Sequence, residues 1–131
     1  MKLLAYTLLF SAISLMFTCV GVAHHSISAE FDGNQHIFLS GTITKVAWIN
    51  PHSFFYVDVK DAKTGNVVNW SCELGSPNML GTLGWNRATL RVGMPVSLTG
   101  ILARDGSHRV IARNIIANGN RLVAWPRERA Q

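Results

Sequence analysis

The chain has 131 residues, a formal charge of +5, 48% apolar residues and only 15% charged ones. That length excludes most multidomain enzymes and any full Rossmann or TIM architecture. The low charge and the apolar excess exclude a disordered chain.

Much of the apolar excess stands at the start. Residues 3–23, LLAYTLLFSAISLMFTCVGVA, carry no charge and follow Lys2. A short positive start, an apolar stretch and then small residues make the pattern of a secretory signal peptide. Gly21 and Ala23 fit the small-residue rule and set cleavage before His24. The rival is retention as a membrane anchor, because the run approaches spanning length. Removing 23 of the 131 residues leaves 108, with the charge one lower because Lys2 is lost. No second apolar run approaches spanning length. The expectation is an exported domain, periplasmic or secreted, over residues 24–125, with a loose polar tail at 126–131. Cys19 leaves with the signal, so Cys72 stays alone and no disulfide can form within the mature chain.

Residues 37–49, IFLSGTITKVAWI, predict a long strand. Leu39, Gly41 and Ile43 share one face, whereas Val46 and Trp48 have the other parity. That shift predicts a bulge near Lys45, and Gly41 suits strong curvature. Asn50-Pro51 ends the strand, since proline cannot donate to a ladder. Residues 53–60 predict a second strand, and Asp61 to Asn66 a turn. Residues 67–74 predict a third, in which Val68, Trp70, Cys72 and Leu74 alternate with Val67, Asn69, Ser71 and Glu73. Cys72 then reads as a small buried residue rather than a reactive thiol. Glu73 falls on the polar parity and reads as part of a solvated strand face.

Ser76-Pro77 has the form of an N-cap followed by proline at the first helical position, and Gly84 can close the short helix. Residues 95–103 predict a fourth strand, Asp105-Gly106 a hairpin turn, and residues 109–117 a fifth strand. A turn at 118–120 leads into a short extension at 121–125. Three strands, a short helix and two strands make an all-β protein of the OB type, a five-stranded Greek-key barrel with its helix between strands three and four. A β-sandwich and a six-stranded meander are the competitors.

Several segments carry a family likeness. They are His24-His25-Ser26, Glu30-Phe31-Asp32, Gly41-Thr42-Ile43, Trp48-Ile49-Asn50-Pro51-His52, Trp70-Ser71-Cys72-Glu73 and Leu83-Gly84-Trp85. With them the chain resembles a bacterial exported family, the domain of unknown function 6152, over nearly all of residues 24–125. The resemblance implies a small exported β-rich domain and no particular activity. Ile27 departs from the usual phenylalanine of that family's start.

The chemistry is concentrated in histidine, at positions 24, 25, 36, 52 and 108. Cleavage before His24 would create an α-amine beside its imidazole, and the two can chelate one ion. A further histidine would complete a three-nitrogen site of the kind that suits Cu(II). Cleavage one or two residues earlier would still place a histidine third in the chain, where it can join the amine around copper. The candidate ligands are His24, His25 and His52, with Glu73 as a further candidate and copper as the candidate metal. His52 stands out because it follows Asn50-Pro51 at a loop tip, a common place for function. The plainer reading is a soluble terminus and a histidine bonded to a turn. His36 and His108 sit beside turn signals and read as exposed.

No G-x-S-x-G, Cys-x-x-Cys, H-E-x-x-H or phosphate-binding loop is present, so the sequence shows no catalytic signature. A second class of function is a metal-free accessory module that binds a protein or glycan through Trp48, Tyr56 and Trp85, aromatics being frequent anchors. Stacking of nucleic acid on Trp48, Phe54, Tyr56 and Trp70, with Arg104, Arg109, Arg113 and Arg121 along the backbone, is opposed by export and by the modest charge.

Overall fold

The computed structural model describes residues 27–125. The expected signal peptide and its cleavage point, His24, His25 and the tail from Pro126 lie outside these residues. Ile27–Glu30 form one helical turn, α1, which runs directly into the 17-residue strand β1, Phe31–Ala47. The strand thus begins six residues before the expected start at 37. Its early part hid because Gly33, Asn34 and Gln35 are exposed and carry no alternating apolar pattern. Phe31 nevertheless pairs with Ala103, and the register shifts before pairing resumes at His36.

Strands β2 (Phe54–Lys60) and β3 (Val67–Glu73) follow as expected. So does β4, Pro95–Ala103. The expected fifth strand, 109–117, is instead two, β5 (Arg109–Ala112) and β6 (Ile115–Ala117). The break has a register cause. Gly100 faces Ala112 but Ser97 faces Ile116, a slip of one residue, and the Arg113 N–H bonds the Thr99 carbonyl at 2.7 Å. The final extension is β7, Asn120–Leu122, paired back onto β6.

Five strands close a barrel in the order β1-β2-β3-β5-β4, with β4 returning to β1. All contacts are antiparallel except β3 with β5, which is parallel. β1 closes the barrel by serving two neighbours. Its residues 36–42 pair with β4 and its residues 42–47 with β2. The change of direction is made at a bulge between Ile43 and Lys45, where an extra residue bends a strand. Leu39 and Ile43 are buried before it, and Val46 and Trp48 pack on the core after it. Gly41 lies where β1 passes close against the β2 backbone. A Cβ there would stand 2.1 Å from the Asp58 carbonyl oxygen.

Helix α2, Pro77–Thr82, connects β3 to β4. Ser76 caps it, its hydroxyl accepting from the Met79 N–H at 3.2 Å, and Gly84 leaves it at φ +87°. Its Leu80 is fully buried with the barrel core, beside Phe55, Val57, Cys72 and Leu98. A second, smaller cluster holds Phe31, Ala103 and Ile111, with Ile101 and Trp125 packed against it. Val110 and Ala112 belong to the barrel core while Ile111 does not. Alternation along a strand sends neighbouring side chains to opposite faces, so the small cluster lies outside the barrel wall. Among the described residues no helix is long and apolar enough to cross a membrane.

Candidate functional site

The outer cluster borders a cavity of about 380 Å³. Its walls come from four stretches of the chain. Ile27 and Phe31 belong to α1 and the start of β1. Ile49, Pro51 and His52 belong to the β1–β2 loop, and Phe54, Glu73 and Arg109 to β2, β3 and β5. Apolar side chains form most of the wall, and four titratable groups, Glu30, His52, Glu73 and Arg109, enter it.

Strand pairing brings His52 and Glu73 together. Phe54 faces Glu73 across β2–β3, and the ladder continues irregularly beyond. The Leu74 N–H bonds the Ser53 carbonyl at 2.8 Å and the Ser53 N–H bonds the Gly75 carbonyl at 3.0 Å. The loop is thereby held to the end of β3. The peptide bond between Asn50 and Pro51 is cis. His52 Nδ1 lies 2.5 Å from Glu73 Oε1, a contact shorter than the usual charge-assisted N–H···O hydrogen bond. The His52 ring also meets Trp125 edge-on, with centroids 6.2 Å apart at 75°. Trp125 is itself tied down by its indole N–H, which donates to the Ala112 carbonyl at 3.0 Å.

Glu73 corrects the expectation of a solvated face, for it is only 7% exposed. It has the outward parity of β3, but α1, the β1–β2 loop and β5 cover the outside of the wall at that point. Burial raises its carboxyl above the ordinary carboxylate value, since a desolvated charge is disfavoured. Attraction and hydrogen bonding to His52 oppose the rise, Glu30 adds to it and Arg109 opposes it. Arg109 is engaged on other sides as well. Its guanidinium lies 3.7 Å from Glu30 and 3.6 Å from Asp105, and 5.6 Å from the centre of the Phe31 ring. The Arg104 N–H bonds the Glu30 carbonyl at 2.9 Å and its Nε bonds the Ser28 carbonyl at 3.1 Å. The beginning of the described chain is thus fastened beside the cavity.

The other expected residues are dispersed. Cys72 is wholly buried inside the barrel, and burial pushes its thiol up to about 12, which makes it a core residue and not a nucleophile. Trp85 is buried too. It meets Trp48 edge-on at 6.5 Å, and its indole N–H donates to the Val123 carbonyl at 2.8 Å. Trp85 is therefore a core residue and leaves the expected aromatic face. Tyr56 is half-buried with the Lys45 ammonium 5.1 Å from its ring centre. His36 and His108 are exposed, His108 lying against Trp70 at 4.9 Å. Among the described residues no group of three or more His, Cys, Asp or Glu is gathered as a metal site. His52 and Glu73 make a pair, and His24 and His25 lie outside the described residues.

Sequence reasoning missed Phe31, Arg109 and Trp125 as parts of this site. Phe31 carried a signal, since it belongs to the Glu30-Phe31-Asp32 segment of the family likeness. Arg109 and Trp125 carried none, because their place depends on which outer face the chain ends cover.

The family model described as a family of unknown function, DUF6152, matches residues 13–112. The chain belongs to that family. No curated protein and no solved structure matches it significantly.

Proposed function

We propose that this member of the DUF6152 family is an exported metal-binding module. Cut before His24, it would hold one copper ion through the new α-amine, the rings of His24 and His25, and His52. The observation that carries the reading is that His52 and Ile27 line one cavity. Only three peptide steps separate Ile27 from His24. A chain advances at most about 3.6 Å per residue, so the amine made by cleavage stays within roughly 11 Å of the Ile27 backbone. That short reach favours bringing the new amine and the loop histidine to one ion.

The donor set also favours the reading. Amine and imidazole nitrogens suit Cu(II), which tops the affinity series of the divalent metals. Each donor must be unprotonated to bind, so affinity falls as pH drops through the imidazole range.

The test uses protein purified from the periplasm, with the N-terminus read by mass spectrometry. Titration with Cu(II) should give one site tighter than that of a free His-His-Ser peptide, and His52→Ala should weaken it. Affinity equal to the peptide's would sink the reading.

A further inference from the structure

We propose that Glu73 is a positioning residue for His52 and not a ligand of the ion. This rests on the metal-binding reading above, with His52 as one of the ligands. When Glu73 is ionised its carboxylate can only accept, and the proton between Glu73 Oε1 and His52 Nδ1 then belongs to the ring. A neutral imidazole protonated on Nδ1 carries its lone pair on Nε2, at the opposite edge of the ring. The ring is gripped twice, by Glu73 at 2.5 Å and by the edge contact with Trp125. Trp125 is in turn fixed to the Ala112 carbonyl. One tautomer and one orientation are prepared before any ion arrives. Glu73 has one oxygen committed to this bond and little of its surface open, which suits a support and not a ligand. Carboxylates behind metal-binding histidines raise ligand basicity, and losing one typically costs about 10- to 100-fold in affinity.

The experiment uses the mature protein with its native N-terminus and Cu(II) alone as probe. Glu73→Met keeps the length, suits burial and removes the acceptor; Glu73→Gln keeps an acceptor oxygen. Glu73→Met should weaken Cu(II) binding about 10- to 100-fold, and Glu73→Gln should fall between it and the wild type. In a His52→Ala background, Glu73→Met should have no further effect. Electron paramagnetic resonance at saturating copper should show the same nitrogen ligands with and without Glu73. In the metal-free protein, ¹⁵N spectra of the ring should place the proton on Nδ1, and Glu73→Met should shift it toward Nε2. A loss of affinity that persists in the His52→Ala background overturns the proposal, as does an unchanged tautomer in folded Glu73→Met. If His52→Ala binds like the wild type, the metal reading itself falls and takes the ligand role with it. The ring spectrum is independent of that outcome and separates the two failures.

Discussion

Ile111 and Val110 are adjacent on β5 and equally inaccessible, yet they are buried by different means. Val110 faces the barrel interior, where strands from the whole sheet, α2 and Leu90 supply its surroundings. Ile111 faces outward and is covered by Phe31, Ala103, Ile101 and Trp125, two of which come from near the ends of the described chain. The interior is closed by the strand ladder, so its side chains cannot separate unless the barrel opens. The outer layer is held by the pairing of Phe31 with Ala103, by Arg104 and Arg109 on α1 and the start of β1, and by the Trp125 indole. Local opening is cheap where contacts are few and their hydrogen bonds face solvent. The cavity lined by His52 and Glu73 is bordered by Phe31 and α1 of this outer layer.

That contrast can be broken by truncating one phenylalanine on each side. Phe55→Ala, inside the barrel, should cost about 3–5 kcal/mol, the usual loss for a core phenylalanine. Phe31→Ala, outside it, should cost less in urea unfolding, because the layer can detach and limit the loss. Hydrogen exchange should then show faster opening at the start of β1 with β2 and β3 still protected. Equal losses, with uniform exchange, would mean that the two layers form one cooperative unit.

Glu73 sharpens the same contrast with a smaller effect. Its raised carboxyl means that the folded state holds the proton more tightly than the unfolded chain does. The stabilisation is present below the ordinary carboxylate value, near 4.3, and is lost as pH rises through the folded value. Metal-free protein should therefore lose stability over that window, and Glu73→Gln should flatten the curve there. A wild-type curve that does not fall across the window would show that His52 fully offsets the cost of burial.

How much could be seen beforehand follows the same division. The barrel interior was legible because alternation records it. Val68, Trp70, Cys72 and Leu74 share one parity, and the parity change between Ile43 and Val46 announced the bulge that the register shows. The capping serine and Gly84 likewise bounded the helix. The outer layer was illegible for a physical reason. An outward residue is polar or apolar according to what covers it, and the cover comes from distant chain segments. Glu73 looked solvated because parity says only which face it takes. Residues 109–117 looked like one strand because a register slip of one residue leaves no mark in composition. His52 was found because a loop after Asn-Pro is a common place for function, but its partner needed the β2–β3 register.

The smallest effect comes at the junction of the two layers. Ser53 is 1% exposed, and its hydroxyl has no hydrogen-bond partner among the described residues, although its backbone is paired on both sides. It sits between His52, which faces the cavity, and Phe54, which pairs with Glu73. A buried hydroxyl without a partner forfeits its hydration, so its removal should be favourable. Ser53→Ala should leave the backbone bonds to Leu74 and Gly75 in place and raise stability by up to about 1 kcal/mol. The thermal midpoint measures this. A loss of stability instead would show that the hydroxyl is bonded, through a water or through residues beyond the described ones. The junction would then be a polar link between barrel and outer layer, not the plain packing surface that the lighter attachment of that layer implies.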